Sequence, residues 1–416
     1  MLKKIYHQIQ RELAKLWFKL YPRVTVIGIT GSYGKTNTAR AISQVLSEKF
    51  KILQTDLNLD TNYNLPLTLL KIRPWQQKLI LEYGIDHLGE MEKHLDLVKP
   101  QIAVLTGINP THSDEEHLGS LSNVIKEKKK LLTALPSNGL AILNWEDDKV
   151  REMAKNIKTP YWFFGFDKKK CDFWANQIEV DFDGTSFLLG YKNRRNMPVK
   201  TGLVGKHFVQ SCLAAAAVGL NQGLSWEQIK KGLAKLKPLA GRLSLERGPL
   251  GSVLLNDSLR ANPASMLAGL ETLADLPAEG KKIAVLGEMG ELGESAEEEH
   301  RKIGQKVAEL KIDFLVGIGP LQKLTTQQAL ERGMKKEQVF WVADVFQAAQ
   351  VLDKILKKGD LFYLKGSRLR HMERVLLILQ NKKIGCRAIS CHFYHSCQNC
   401  PYLLSGLPED IIKTHG

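Results

Sequence analysis

Apolar residues recur with a helical period over the first 22 residues of the chain. Basic residues such as Lys15 and Lys19 separate them, and Pro22 ends the pattern. Because a spacing of three to four residues places side chains on one face, the segment is predicted to be a basic amphipathic helix. We expect this helix to lie on an anionic membrane, to dock on a partner, or to pack on its own protein. The apolar positions are Leu2, Ile5, Ile9, Leu13, Leu16, Trp17 and Leu20.

Beyond Pro22, short β-branched and aliphatic runs alternate with stretches long enough for a crossover helix. Such alternation predicts a parallel sheet with helices on both faces. Aromatic residues and Asp-Gly and Lys-Asn turns in 161–200 favour a small antiparallel excursion, and the alanine-rich segment 208–220 is predicted to be a buried helix. A further helix is expected to begin near Thr38. The predicted strands are 24–29, 79–83, 103–108 and 141–144.

A second alternating series follows Pro238, with predicted strands at 253–255, 283–286, 314–318, 340–342 and 361–364. The predicted fold class is therefore α/β, with a P-loop central domain built on a mostly parallel sheet and a C-terminal Rossmann-like α/β domain. The predicted organisation is an N-terminal helix at 1–22, the central domain at 23–237, the second domain at 238–380 and a cysteine-rich tail at 381–416.

The chain has 416 residues, 44% of them hydrophobic and 25% charged, and a formal net charge of +15. These values exclude disordered and fibrous proteins. Since no apolar run reaches the about 18 residues that span a bilayer, we expect a cytoplasmic protein, with the inner membrane surface as the alternative location. The positive charge suits nucleic acid, an anionic membrane or polyanionic small substrates. No aromatic-basic motif is visible, so nucleic acid is not an expected partner, and nucleic-acid binding stays as the non-enzymatic alternative.

A glycine-containing turn follows the first predicted strand and leads into a helix. It reads Thr30-Gly31-Ser32-Tyr33-Gly34-Lys35-Thr36. A strand, a glycine turn and a helix N-terminus present backbone N–H groups to an anion, with Lys35 placed for phosphates and Thr36 for magnesium. The ordinary Walker spacing is not kept, because Ile29 stands five residues before Gly34. A tight turn with an exposed lysine is the alternative.

Two further candidates follow predicted parallel strands. Glu82 ends the strand at 79–83, and His112 follows the strand at 103–108. Because the carboxyl ends of parallel strands gather ligands, Glu82 is expected to reach the same magnesium as Thr36. His112 is interpreted as a second ligand, with an ordinary loop histidine as the alternative.

Four cysteines cluster near the C-terminus in the spacing C-x4-C-x5-C-x2-C. The segment has few apolar residues, so a structural tetrahedral zinc ion would supply its missing stabilisation. His392 and His395 are substitute ligands, an iron–sulfur cluster is a second alternative, and free reduced cysteines are a third. The cysteines are Cys386, Cys391, Cys397 and Cys400.

The order of the motifs over residues 24–380 resembles that of the Mur ligase family, the ATP-dependent amide-forming ligases of peptidoglycan assembly and their folylpolyglutamate synthase relatives. The later motifs are most similar to its D-alanyl-D-alanine-adding branch. The matching segments are 30–38, Glu82-Tyr83-Gly84, 106–109 with His112, 123–128, Gly241-Arg242-Leu243, Asn256-Asp257-Ser258, 287–293 and 365–368.

The resemblance implies ATP and Mg²⁺ as cofactors and assigns roles to particular residues. Lys35, Glu82, His112 and Lys128 would be catalytic, with Lys128 at the position that many members carbamylate. Magnesium would be held by Thr36, Glu82, His112 and Lys128. The implied ATP-binding residues are Gly31, Ser32, Gly34, Lys35, Thr36, Asn37, Thr38, His207, Arg242 and Asp257.

Two of these assignments have an ordinary alternative. Lys128 lies in a run with Lys126, Lys129 and Lys130. In the alternative interpretation it is one of several charges on a solvated helix face. Arg242 and Asp257 are expected to close over ATP, with the carboxylate on the ribose, or else to form a structural ion pair.

The resemblance also implies peptidoglycan precursor synthesis through an acyl phosphate. The partners would be a carboxylate-bearing peptide or glycopeptide precursor and an amino acid or dipeptide amine. About 23 residues precede the loop, where the D-alanyl-D-alanine-adding branch has a domain for the UDP-sugar, so we expect that domain to be lacking. The alternatives are a ligase subunit for a lipid-linked or polymeric substrate, such as the partner of a glutamine amidotransferase, and a polyglutamate-type ligase.

Overall fold

The computed structural model describes residues 2–56, 61–155, 157–192, 195–391 and 396–406. The chain divides into two compact units. Residues 1–179 and 183–237 form the first unit, and residues 180–182 and 238–416 form the second.

Within the described residues, a nine-stranded sheet organises the first unit, in the strand order β2-β3-β1-β4-β5-β6-β7-β8-β9. The pairs from β2 through β7 are parallel, and β8 pairs antiparallel with β9. The strands are β1 Thr25–Thr30, β2 Ile52–Gln54, β3 Lys78–Glu82, β4 Ile102–Leu105, β5 Leu140–Asn144, β6 Tyr161–Gly165, β7 Phe173–Asp181, β8 Gly184–Tyr191 and β9 Arg195–Thr201.

Helices connect the successive strands from β1 to β6, because parallel neighbours need crossovers. The alternation in the sequence thus predicted the parallel sheet correctly. The antiparallel region predicted at 161–200 is confirmed for β8 and β9, whereas β6, which lies in the same region, pairs in parallel with β5. The helices of this unit are α1 Leu2–Lys19, α2 Lys35–Leu46, α3 Thr61–Leu70, α4 Glu90–Leu97, α5 Leu121–Thr133, α6 Asp148–Ala154, α7 His207–Asn221 and α8 Trp226–Ala234.

The start of α2 differs from the prediction. The helix begins at Lys35, three residues before Thr38, because Gly34 adopts a left-handed conformation and acts as the N-cap. The expected buried helix at 208–220 is confirmed as α7, whose residues from Phe208 to Gly219 are almost all buried. This helix packs against α2 on one face of the sheet.

The N-terminal helix α1 packs on its own unit with one face only. Ala14 is fully buried, and Phe18 and Tyr21 pack against the same core. Trp17 Nε1 donates a hydrogen bond to the Ile72 carbonyl at 3.2 Å. The expected apolar stripe is therefore split, because Trp17 contacts the protein while a row of other apolar side chains stays exposed: Tyr6, Ile9, Leu13, Leu16 and Leu20.

The second unit contains a six-stranded sheet in the order β10-β11-β15-β12-β13-β14, counted over the described residues. All pairs are parallel except β10 with β11, as expected for a Rossmann-like domain. Its strands and helices are β10 Ser244–Arg247, β11 Val253–Asp257, α9 Pro263–Asp275, β12 Lys282–Gly287, α10 Ala296–Glu309, β13 Phe314–Ile318, α11 Gln322–Glu331, β14 Val339–Val342, α12 Val345–Ile355, β15 Leu361–Lys365 and α13 Glu373–Leu379.

The predicted α/β fold class is confirmed for both units. The cysteine-rich segment belongs to the second unit and contains a short 3₁₀ turn, Cys397–Asn399, that contacts α13. Among the helices that the structure describes, none is both long and apolar enough to cross a membrane.

Candidate active site

The loop between β1 and α2 requires glycine at two positions. Gly31 has a φ of +147°, and a Cβ atom there would lie 2.1 Å from the Thr106 hydroxyl oxygen. Gly34 has a φ of +75°, which side-chain-bearing residues rarely adopt. The Ser32 amide donates to the Gly107 carbonyl at 2.7 Å, so the loop is fastened to the segment after β4. The first amides of α2 are thereby placed at the carboxyl edge of the sheet, where a helix N-terminus binds anions.

The structure brings Thr36 and Glu82 together. The Thr36 hydroxyl donates to Glu82 Oε2 at 3.2 Å. Glu82 ends β3 and lies in register with Ile29 of β1, so it stands at the same sheet edge as the loop that leads from β1 into α2. A hydroxyl and a carboxylate are the hard oxygen ligands that Mg²⁺ prefers, and this pair fits that ion.

Lys35 lies over the same loop. Its Nζ donates to the Gly31 carbonyl at 2.7 Å, and the side chain is only half-buried. The ammonium group is therefore held above the loop amides, in the position from which a lysine contacts phosphates.

His112 lies beside a carboxylate that the sequence analysis missed. Its Nε2 is 3.4 Å from Asp86 Oδ1, and its ring centre is 5.2 Å from that of His117. The signal that would have revealed Asp86 is its position four residues beyond the end of β3, at the same sheet edge as Glu82. A carboxylate next to a histidine orients its ring, so Asp86 is suited to hold His112 as a metal ligand.

Lys128 is buried in α5, with 1% of its surface exposed. The alternative of a solvated helix charge is therefore wrong for this residue. Burial, and then the positive charge of Lys35, lower the pKa of Lys128 well below its ordinary range, although Asp86 and Glu127 act in the opposite direction. Lys128 of α5 therefore lies close enough to Lys35 of the loop and to Asp86 beside His112 for their charges to act on it.

Residues at the start of α7 flank the first turn of α2. Thr38 is buried, and its hydroxyl lies 3.0 Å from the Ser211 hydroxyl of α7. His207 begins α7, and its ring centre is 4.0 Å from that of Phe208. Asn37 lies in the first turn of α2 and is half-buried. Thr38 therefore has a packing role in addition to the one that the resemblance implied.

In the second unit, Asp257 has a partner that the sequence analysis did not assign. Lys365 Nζ donates to Asp257 Oδ2 at 2.5 Å, and the Tyr363 hydroxyl donates to the same oxygen at 3.3 Å. Burial raises the pKa of Asp257, while Lys365 and, more weakly, Arg242 lower it. The lysine at the end of the parallel strand β15 was the available signal. A role of Arg242 and Asp257 toward ATP stays a prediction.

The four cysteines do not meet as the spacing suggested. Among the described residues, no three of these thiols form a group whose ligand atoms all lie within 4.8 Å of one another, whereas Cys397 forms such a group with His371 and Glu373. Cys386 and Cys397 are buried, and Cys391 and Cys400 are half-buried. The substitute ligands His392 and His395 lie outside the described residues.

A nucleotide loop, a threonine–carboxylate pair beside it and a buried lysine within reach define the class of ATP-dependent ligases with a P-loop core. Family comparison agrees: residues 29–219 match the Mur ligase middle domain, and residues 241–368 match the Mur ligase, glutamate ligase domain. The chain belongs to the Mur ligase family, and it is an ATP-dependent carbon–nitrogen ligase of the type that serves peptidoglycan precursor synthesis.

Individual relatives are similar over most of the chain. The UDP-N-acetylmuramoyl-tripeptide–D-alanyl-D-alanine ligase of Escherichia coli is 31% identical over 367 residues, which cover 88% of this chain and 78% of that protein. The enzyme of the same name from Bacillus subtilis is 31% identical over 352 residues, covering 84% and 75%. The predicted enzyme class is thus confirmed.

Two solved structures share the fold. MurF from Acinetobacter baumannii superposes with a TM-score of 0.79 at 28% identity, covering 90% of this chain and 81% of that one. The MurF ligase from Thermotoga maritima in complex with ADP has a TM-score of 0.76 at 24% identity, covering 90% and 84%. At the latter identity the likeness concerns the fold alone.

Proposed function

We propose that this chain joins the amino group of D-alanyl-D-alanine to the free carboxylate of a UDP-N-acetylmuramoyl-tripeptide in the cytoplasm, with cleavage of ATP to ADP and phosphate. The names of the relatives at 31% identity support these substrates. The observation that carries the chemistry is the contact of Thr36 with Glu82 at the end of the phosphate loop.

The reaction has two steps. The γ-phosphoryl group of ATP is transferred to a carboxylate oxygen, which breaks its bond to ADP and forms an acyl phosphate. The amine nitrogen then attacks the acyl carbon and loses a proton, and the bond to phosphate breaks to leave the amide. Because neither step needs a covalent protein nucleophile, the protein has to neutralise and position phosphates. Lys35 and the first amides of α2 suit this task.

Two metal positions are proposed at this edge of the sheet. Thr36 and Glu82 would hold one Mg²⁺, and His112, oriented by Asp86, would hold a second together with a carbamylated Lys128. Bound magnesium neutralises phosphate charge and polarises the reacting oxygens. Burial lowers the pKa of the Lys128 amine, which favours the neutral form that reacts with CO₂, and the resulting carbamate is an anion suited to a metal.

The first test removes the phosphate-loop lysine. Lys35→Ala is expected to lower ADP release with both substrates by about 100-fold or more, because a fixed charge at a transferring phosphate contributes on that order. Lys158→Ala, which changes an exposed lysine of the same unit, is the matched control and is expected to keep normal turnover. Near-normal turnover in folded Lys35→Ala would contradict the assignment of the loop.

The second test concerns the carbamate. Lys128→Ala is expected to lose turnover and to regain part of it when acetate or formate fills the vacated position. Lys126→Ala, two residues away and exposed, is the control and should be unaffected by these anions. Full activity of Lys128→Ala without added carboxylate would exclude a metal-binding role for this lysine.

We further propose that the first unit contacts an anionic membrane surface through the amino edge of its sheet. Because the strands are parallel, the residues that precede them lie at one edge, opposite the phosphate loop. Exposed basic residues stand there before four neighbouring strands: Lys51 before β2, Arg73 before β3, Arg23 before β1 and Lys99 before β4.

Apolar side chains accompany this basic edge. Leu16 of α1 is 58% exposed, Leu20 just after α1 is 67% exposed, and Trp75, in the segment before β3, is 65% exposed. The Trp17–Ile72 hydrogen bond ties α1 to that segment. Exposed leucines and a tryptophan beside basic residues match the chemistry of an anionic lipid surface.

Vesicle cosedimentation tests the contact. The intact chain is expected to bind phosphatidylglycerol vesicles more tightly than phosphatidylcholine vesicles. The double substitution Leu16→Ser with Leu20→Ser should weaken binding about 30-fold, from about 1 kcal/mol of lost burial for each leucine. Leu330→Ser, an exposed leucine of the second unit, is the control. Equal sedimentation with both lipids, or a change of oligomeric state alone, would contradict membrane contact.

The exposed stripe also favours a second candidate substrate, a lipid-linked carboxylate acceptor. Parallel assays of ADP release with the UDP-linked tripeptide and with a lipid-linked peptide in vesicles separate the two. The first substrate is expected to support turnover in the absence of vesicles, whereas turnover only with the vesicle-bound acceptor would favour the second.

A further inference from the structure

The segment after β15 folds back on α13 through buried contacts. Arg374 is 1% exposed, and its Nη2 donates to the Ala388 carbonyl at 2.6 Å. The Cys391 amide donates to the Leu369 carbonyl at 2.9 Å, and the Cys386 amide donates to the Leu403 carbonyl at 3.1 Å. This arrangement lies beyond residue 368, where the match to the family's second domain ends.

Three side chains with different ligand atoms meet in this arrangement. Ligand atoms of His371, Glu373 and Cys397 all lie within 4.8 Å of one another. His371 Nδ1 is 3.1 Å from Glu373 Oε1, and the Cys397 amide donates to the same carboxylate oxygen at 3.1 Å. His371 is 2% exposed and Cys397 is 8% exposed, so the group is shielded from water.

The second nitrogen of His371 has the contact that metal-bound histidines usually make. Its Nε2 lies 3.3 Å from the Cys391 carbonyl oxygen. When this nitrogen carries the proton and donates to the carbonyl, the Nδ1 lone pair points to Glu373 and Cys397. The Cys391 carbonyl is therefore placed to accept the Nε2 proton of the tautomer that binds a metal through Nδ1.

A fourth ligand is available from the adjacent turn. The Cys400 amide donates to the Cys397 carbonyl at 3.1 Å, which closes the Cys-x2-Cys turn. A Cys-x2-Cys turn commonly supplies two thiolates to one metal ion.

We propose that His371, Glu373, Cys397 and Cys400 bind one divalent transition-metal ion of the zinc class. Two thiolates, an imidazole and a carboxylate provide four ligands and suit tetrahedral zinc better than calcium or magnesium. The site fastens the cysteine-rich segment to α13. This ligand set differs from the four-cysteine set that the spacing alone suggested, because the ligand atoms that lie together are those of His371, Glu373 and Cys397.

Metal analysis of the full chain, purified without chelator, tests the site. About one zinc ion per chain is expected, and less than about half an equivalent would overturn the proposal. Iron with acid-labile sulfide in place of zinc would overturn it in favour of a cluster. Cobalt loaded into the metal-free protein is expected to show thiolate charge-transfer bands and tetrahedral d–d bands, whereas the weak spectrum of octahedral cobalt would also overturn it.

Substitutions distinguish the two ligand sets. Cys397→Ser and Glu373→Gln are expected to lower zinc content several-fold, whereas Cys391→Ser should retain it. Cys171→Ser, at a buried cysteine of the first unit, is the matched control. Loss of zinc in Cys391→Ser together with full retention in Glu373→Gln would restore the four-cysteine set. Circular dichroism of each variant separates ligand loss from unfolding.

Discussion

Replacing Lys128 with methionine should stabilise the protein while it abolishes activity. The lysine side chain is 1% exposed and lies in α5 among buried apolar residues at helical spacing, Val124, Leu131 and Leu132. Methionine has a similar length and no charge to desolvate. A residue retained at such a cost in stability is expected to serve the chemistry of the site.

The magnitude follows from the surroundings of the amine. Burial disfavours the charged form of Lys128, and this cost disappears when an apolar residue of similar volume takes its place. Exchanges of buried ionic groups for apolar residues are neutral or stabilising by about 1–4 kcal/mol. Asp86 and Glu127 favour the charged lysine and reduce this gain, while Lys35 adds to it. We therefore expect about 2 kcal/mol. For a unit of about 150–250 residues, this corresponds to a melting temperature higher by about 4–8 °C.

Calorimetry without ATP and magnesium measures the stability, and ADP release with both substrates measures the activity. Lys126→Met is the matched control, because that lysine is exposed and its replacement should change stability by less than about 0.5 kcal/mol. A lower melting temperature for Lys128→Met than for the unmodified chain would refute the burial argument. Normal turnover of the variant would refute the catalytic role.

Three further predictions concern stability. Gly31→Ala should disrupt the phosphate loop and lower the free energy of unfolding of the first unit, measured in urea, by more than about 2 kcal/mol. Gly89 also has a positive φ, but a Cβ atom there would meet no neighbouring atom, so Gly89→Ala should lower it by only about 1 kcal/mol. Burial lowers the pKa of His300 below its ordinary value of 6.5, so the unfolded state takes up a proton at a higher pH than the folded state does. The free energy of unfolding should therefore decrease below pH 6.5, by up to about 1.4 kcal/mol per pH unit. This decrease should be smaller in His300→Gln. Lys365→Met should cost about 3–5 kcal/mol by leaving Asp257 buried without its cation, and adding Asp257→Asn should recover most of it.

Local patterns in the sequence determined the architecture and the phosphate loop. Strands buried on both faces read as continuous apolar runs, so most strands of both sheets were predicted within one to three residues. Strands β2 and β10 were not predicted, because they have three and four residues and are too short for a recognisable pattern. Strands β6 to β9 were predicted only as one antiparallel region at 161–200, without bounds for each strand. The turn from β1 into α2 was visible because its glycines, Lys35 and Thr36 are adjacent in the chain.

Only the tertiary structure decided which distant side chains meet. Asp86 beside His112, Lys365 beside Asp257, and His371 with Glu373 beside Cys397 are pairings set by strand register and by a segment folding back. The same holds for burial, since Lys128 and its exposed neighbour Lys126 look alike in a basic run. The periodicity of the sequence shows which face of one element is apolar. It does not show which element packs against that face, because contacts between elements depend on the order, register and connections of the whole sheet.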